Sequence, residues 1–133
     1  DCYNYISPQK LQTAFAHAAA CLKKGGVFWF DISSEHKLRT KVANNMCADD
    51  RDEITYLSFN TLFSDRVETD VTLFIKEKDG RYLRCDEKHT QYLHAEEGVT
   101  KLLSAYFDVL AVEGHLGEEK QESDRLNFIC RKK

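Results

Sequence analysis

The sequence predicts an α/β fold, and three observations support that prediction. An amphipathic pattern with helical spacing covers residues 8–23, ends at a glycine pair and leads directly into an apolar run at 27–32. That run holds five large apolar side chains without alternation, which is typical of a strand covered on both faces inside a parallel sheet. Residues 67–77 instead alternate apolar and polar side chains, which indicates a half-buried antiparallel strand. The chain is therefore expected to combine a helix-covered sheet with an antiparallel element.

The composition fits one domain with a hydrophobic core. The chain has 133 residues, of which 42% are hydrophobic and 11% aromatic. A net charge of −3 and scattered basic residues argue against nucleic-acid and membrane partners. No apolar run approaches the roughly 20 residues that a membrane span needs. The five cysteines include no C-x-x-C pair, so we expect idle thiols in a reducing cytoplasm.

The first helix and strand have clear boundary signals. A serine followed by Pro8 starts the helix, and Gly25 can adopt the left-handed conformation that ends it. The strand at 27–32 places Asp31 near its carboxyl end, followed by two serines, where ligands collect in open α/β sheets. Either serine could cap a second helix over about 34–46.

The middle of the chain changes from helical to strand periodicity. Residues 47–52 are predicted as a polar, acidic connection. Three strands are predicted after it, at 54–63, 67–77 and 81–93. An Asp-Gly pair at 79–80 is typical of a type I′ hairpin and turns the second of these strands onto the third. A meander in this position is an accessory element, either a lid or an interface.

The end of the chain returns to the α/β pattern. Residues 96–106 have helical spacing, and apolar strands are predicted at 107–112 and 126–131 with a polar loop at 114–124 between them.

Four stretches resemble motifs of class I S-adenosylmethionine-dependent methyltransferases, in the small bacterial subgroup with an antiparallel insertion. They span nearly the whole chain and follow the family's order. They are Asp1-x-x-Asn4-Tyr5, like the D-S-x-N-Y after the family's fourth strand; Leu22 to Asp31, like the L-K-P-G-G-x-x-x-F-D around its fifth; Asp86-Glu87-x-His89 with Gln91, like the D-E-x-H-x-Q of the insertion; and Leu102-Leu103-x-x-Tyr106-Phe107, like the L-L-x-x-A-G-F before its sixth.

The resemblance implies the C-terminal half of a Rossmann-like methyltransferase sheet with an inserted three-stranded antiparallel meander. The partial core would comprise residues 1–46 and 95–133, and the insertion residues 47–94. The family's sheet order would place the last strand antiparallel between the strands at 27–32 and 107–112.

The resemblance also implies S-adenosylmethionine as the cofactor, but most of its site is missing from this chain. No acidic-G-x-G-x-G loop occurs, and Gly25-Gly26 is no substitute because it ends a helix and enters a strand. We therefore expect the chain to be inactive on its own.

The resemblance implies that Asn4, Tyr5 and Asp31 lie near the cofactor, with Tyr5 also facing the acceptor. The alternatives are a capping asparagine, a packed tyrosine and a carboxylate that caps the next helix.

On the insertion, Glu87, His89 and Gln91 share one strand face by the two-residue period, and the resemblance implies that they bind the substrate. His89 is the candidate catalytic base, since imidazole exchanges protons near neutral pH. The alternative is a hydrogen-bonded ladder on a solvated sheet face. A metal site using His94 as a third ligand is disfavoured, because His94 has the opposite strand parity and no other ligand completes a set.

The sequence thus predicts a fragment of a methyltransferase acting on a small-molecule acceptor. The alternative is a non-catalytic binding or oligomerisation domain derived from a methyltransferase half. It rests on the fifth strand of the family's order, which would have a bare apolar edge here and could pair with another copy. The meander is the other surface through which copies could assemble.

Overall fold

The computed structural model describes all of residues 1–133 and contains two antiparallel sheets. The helices are α1 (Pro8–Ala20), α2 (Glu35–Lys37, continued by a π-helical turn over Leu38–Val42) and α3 (Glu96–Leu103). The strands are β1 (Val27–Ser33), β2 (Met46–Arg51), β3 (Ile54–Leu62), β4 (Arg66–Lys76), β5 (Tyr82–Tyr92), β6 (Phe107–Gly114) and β7 (Arg125–Lys132). Short 3₁₀ turns cover Cys2–Tyr5 and His115–Gly117.

The first sheet has the order β1-β7-β6, with β7 antiparallel to both neighbours. This is the order that the sequence predicted for the last strand. Gly25 ends the helical region with a φ of 79°. Its amide donates to the carbonyl of Lys132 at 2.8 Å, and the amide of Lys132 donates to the carbonyl of Gly26 at 2.8 Å. The glycine pair therefore joins the end of α1 directly to the central strand.

The main core lies between this sheet and helices α1 and α3. The periodic residues of α1, among them Leu11 and Phe15, pack against Phe30 and Phe128 from the sheet and Leu103 from α3. Their apolar area, removed from water, is the dominant favourable contribution to this half of the fold.

The prediction that the strand at 27–32 is covered on both faces is wrong. Trp29 is 71% exposed and Val27 is 58% exposed. Alternate residues of β1 point to opposite faces, and the two helices cover only the face of Phe30 and Ile32. β1 is also an edge strand, because β7 is its only partner. An unbroken apolar run thus does not reveal which of its faces the rest of the chain covers.

The second sheet has the order β2-β3-β4-β5, so the predicted three-stranded meander gains a fourth strand. Residues 47–52 were expected to be a connection, but most of them pair with β3 as β2. Every residue of β2 is exposed, so this edge strand shows no apolar alternation that could identify it. The predicted helix over 34–46 is correspondingly shorter, ending before Asn44, which has a φ of 51°.

The hairpin predicted at 79–80 is present, but its turn is not of type I′, because Gly80 has a φ of 84° while Asp79 does not have the positive φ that this type requires. The amide of Glu77 donates to the carbonyl of Arg81, so the loop has three residues rather than two. Ser34 is the serine that caps α2, since its hydroxyl accepts from the amide of Lys37 at 3.1 Å. None of the helices is long and apolar enough to cross a membrane.

Candidate functional site

The predicted substrate residues line one pocket against the inner face of the second sheet. We call it the sheet pocket, and its volume is about 410 Å³, within the usual range for small-molecule sites. Strands β3, β4 and β5 form its floor, and Tyr5 and Val42 approach from the first half of the chain. Its lining residues are Tyr5, Val42, Tyr56, Ser58, Asn60, Thr69, Val71, Leu73, Glu87, His89 and Gln91.

Glu87 and His89 form a carboxylate–imidazole pair on β5. Nε2 of His89 lies 3.0 Å from Oε2 of Glu87, and the two side chains are 41% and 57% exposed respectively. The ring of Tyr5 meets the imidazole edge-on, with centroids 6.1 Å apart. A carboxylate that hydrogen-bonds one imidazole nitrogen orients the ring and leaves its other nitrogen to accept a proton. The pair can therefore act as a general base towards a molecule in the sheet pocket.

Polar residues of β3 and β4 complete the pocket floor, and the sequence interpretation missed them. Asn60, Thr69 and His89 form one cross-strand row, in which the hydroxyl of Thr69 donates to Oδ1 of Asn60 at 2.6 Å. Ser58 lies in the next row, in which Val71 separates it from Glu87. The two-residue turn predicted at 79–80 would not have identified these residues, because it pairs His89 with Asp70, whereas the observed register pairs His89 with Thr69.

Asn4 is fully buried and joins three segments of the chain. Its side-chain amide donates to the carbonyls of Ser33 and Tyr92, each at 3.1 Å, and its Oδ1 accepts from the amide of Ser33 at 2.8 Å. These bonds tie the turn that carries Tyr5 to the ends of β1 and β5. The geometry favours a positioning role for Asn4; a cofactor role remains a prediction.

His94 provides a second attachment for the same turn. The residue is 5% exposed, and its Nε2 donates to the carbonyls of Tyr3 and Ile6 at 3.2 and 3.1 Å. Desolvation by burial lowers the pKa of His94 and outweighs the two backbone hydrogen bonds, which act in the opposite direction. His94 thus holds the Tyr5 turn while remaining neutral near pH 7.

We expect the stability of the chain to fall in mild acid because of His94. The folded pKa is below the unfolded value of about 6.5, so the unfolded chain binds more protons between the two values. The contribution of His94 to the free energy of unfolding is therefore fully present above pH ~6.5, and it is lost as the pH falls from there through the folded pKa. Urea unfolding at a series of pH values measures this loss. A His94→Gln variant should have a flatter profile, whereas His17→Gln, on the exposed surface of α1, should keep the parent slope. Equal slopes in all three proteins would contradict the assignment.

Asp31 lies in a different pocket, on the bare face of β1. Its carboxylate is 2.6 Å from Nη1 of Arg125. Burial acts to raise the pKa of Asp31, and the charge and hydrogen bond of Arg125 act to lower it. The pocket has a volume of about 340 Å³ and shares no residue with the sheet pocket. The alternative that Asp31 caps the next helix is not observed, because Ser34 is the residue that caps it.

The structure thus brings together Tyr5, Glu87, His89 and Gln91, and leaves Asn4 and Asp31 outside their pocket. No three His, Cys, Asp or Glu side chains are grouped so that they could hold a metal ion.

Comparison with known proteins identifies the class of fold. No family model matches the chain. A solved S-adenosylmethionine-dependent methyltransferase from Clostridium acetobutylicum superimposes with a TM-score of 0.89 at 29% identity, over 98% of this chain and 55% of that protein. The amino pentose methyltransferase CalS10 from Micromonospora echinaspora matches with a TM-score of 0.73 at 16% identity, over 98% of this chain and 54% of that protein, which shows the fold alone.

The sequence comparison agrees with the structural one. A curated relative named as a methyltransferase, from Geobacillus sp. (strain WCH70), is 26% identical over 99% of this chain and 56% of its own length. The chain therefore has the class I S-adenosylmethionine-dependent methyltransferase fold, and it spans about half the length of the relatives that it matches.

Proposed function

We propose that this chain is the acceptor-binding part of an S-adenosylmethionine-dependent methyltransferase that modifies a small molecule. The observation that carries the proposal is the Glu87–His89 pair, 3.0 Å apart in a pocket of small-molecule size, within a chain of methyltransferase fold. The cofactor would supply the methyl group. The pocket residues would hold the acceptor, and His89 would take a proton from it.

The residues of this chain offer only part of a cofactor site. The three hydrogen-bonding positions described for Asn4 are taken by main-chain groups, and the carboxylate of Asp31 is paired with Arg125. Asn4 is fully buried and offers no polar group to a ligand, and the Asp31 carboxylate, 30% exposed, is available only beside Arg125. We therefore propose that the 133-residue chain does not turn over by itself, and that a glycine-rich half must be supplied.

Transfer of a labelled methyl group tests this proposal. The chain alone should show no turnover, and a fusion to the half of the Clostridium acetobutylicum protein that it does not cover should methylate acceptors in a broad small-molecule panel. His89→Ala in the fusion should lower kcat about 100-fold, since general-base catalysis contributes at least that much. His17→Ala, exposed on α1, is the matched control and should keep the activity. Turnover by the chain alone, or full activity without His89, would contradict the respective claims.

A second candidate function is a non-catalytic assembly domain, and the open side of β1 favours it. This strand has one hydrogen-bonding edge unpaired, with Val27 and Trp29 exposed beside it. Light scattering on the chain distinguishes the candidates. A stable oligomer in which Trp29 becomes buried, together with an inactive fusion, would support the assembly domain.

We also propose the cytoplasm as the compartment. The five cysteines are all free, which suits a reducing environment.

A further inference from the structure

The sheet pocket contains a negatively charged side chain and no permanently positive one. Of its eleven lining residues, Glu87 is the one with a permanent charge, and no lysine or arginine lines it. The two-residue period of the strand explains why the basic side chains of β5 do not line the pocket. Arg84 and Lys88 alternate with the site residues of β5 and so lie on the other face of the sheet. There Arg84 pairs with Asp86, and Lys88 pairs with Glu68 and Asp70.

Glu87 consequently has no cationic partner of its own. Its one ionic contact is Nε2 of His89, and its side chain is 57% exposed towards the pocket and solvent. An exposed carboxylate of this kind attracts a cation and repels an anion. The phenol rings of Tyr5 and Tyr56, which also line the pocket, add faces on which a cation is stabilised.

We propose that the acceptor of the sheet pocket is an amine, bound as its ammonium ion, and that carboxylate and phosphate compounds are rejected. This inference rests on the proposed function for its consequence, which is methylation of nitrogen. Three apolar residues of the lining, Val42, Val71 and Leu73, provide a surface for the remainder of the molecule.

The pair on β5 also prepares such an acceptor for reaction. Because Nε2 of His89 is engaged with Glu87, its Nδ1 is the nitrogen left to accept a proton. One N–H bond of the ammonium ion breaks, its electron pair stays on the amine nitrogen, and the proton binds to Nδ1. The imidazolium that results is stabilised by the carboxylate of Glu87.

Three ligands of the same shape test the charge preference on the chain itself. Benzylamine, benzyl alcohol and benzoate share a ring and differ in carrying an ammonium, a hydroxyl or a carboxylate group. We expect NMR titration at pH 7 to show shifts at Glu87 and His89, with benzylamine bound about fivefold more tightly than benzyl alcohol, as an exposed ion pair allows. Benzoate should be the weakest of the three.

Two neighbouring variants assign the preference to one carboxylate. Glu87→Gln should bring the ratio of the dissociation constants of benzylamine and benzyl alcohol close to one. Asp86→Asn, one residue away on the opposite face, should leave the ratio unchanged. Benzoate binding as tightly as benzylamine, an unchanged ratio in Glu87→Gln, or no saturable shift with benzylamine would each overturn the inference.

The test does not depend on the cofactor, so it separates the two claims. An amine preference in a chain whose fusion transfers no methyl group would contradict the proposed function and leave the inference standing. Methyl transfer by the fusion to anionic acceptors would support the proposed function and contradict the preference for amines.

Discussion

Replacing Phe128 by alanine should lower the free energy of unfolding by about 4 kcal/mol, the largest effect that we expect from a single core substitution. Phe128 is completely buried at the centre of β7, the strand to which both other strands of the first sheet are paired. Its ring stacks on that of Phe30, with centroids 5.0 Å apart and planes 8° from parallel. Truncation removes this contact and leaves a cavity that the surrounding strands cannot close.

Urea unfolding followed by circular dichroism measures the loss. Phe59→Ala is the matched control, because Phe59 is 49% exposed on β3 and the same atoms are removed. Its cost should remain below about 1.5 kcal/mol. A loss of similar size in both variants would contradict the central position of Phe128. Since domains of this size are stable by roughly 5–15 kcal/mol, the Phe128 variant should lie close to the limit of folding.

The central position of β7 could be predicted from the sequence, whereas the exposure of β1 could not. An apolar run identifies a strand, and the order of strands came from a resemblance that the superposition confirms. What covers each face is a property of the rest of the chain. Trp29 has the side chain of a core residue and is 71% exposed, because no helix here packs on its face.

The edge strand β2 is a second feature of the fold that could not be predicted from the sequence. Met46 to Arg51 pair with β3 through their backbone groups, while all six side chains are exposed. Residues of this kind have no apolar partner and hence no period to detect. The helix predicted over 34–46 ends at Val42, and Asn44, with a φ of 51°, lies in the turn that leads into β2.

The candidate site shows the same division between pattern and register. Glu87, His89 and Gln91 were found together because the two-residue period alone places them on one face. Asn60 and Thr69 were missed because their place in the pocket depends on pairing across three strands. Tyr5 was expected near the acceptor from the resemblance alone, and the hydrogen bonds of Asn4 and His94 that hold its turn connect residues far apart in the sequence.

Those hydrogen bonds lead to the second large effect, which we expect from Asn4→Ala. The substitution leaves the amide and carbonyl of Ser33 and the carbonyl of Tyr92 without their partner, with the Ser33 groups in the interior. Buried polar groups that lose a partner cost about 1–3 kcal/mol each, partly relieved by relaxation, so the free energy of unfolding should fall by about 3 kcal/mol. Asn45→Ala, at an exposed position, should cost less than about 1 kcal/mol.

The Asn4 substitution also separates stability from the architecture of the site. Asn4 shares its turn with Tyr5, so the Tyr5 ring should withdraw from His89 once the turn is released. NMR spectra recorded well below the unfolding midpoint should therefore show altered Tyr5 and His89 resonances in a chain that is still folded. A variant that loses stability while those resonances stay unchanged would mean that His94 alone is sufficient to hold the turn. Combining Asn4→Ala with His94→Gln would then show how the two residues share the task of holding the Tyr5 turn. The effects of residues that act on one segment do not add, so the double variant measures their coupling.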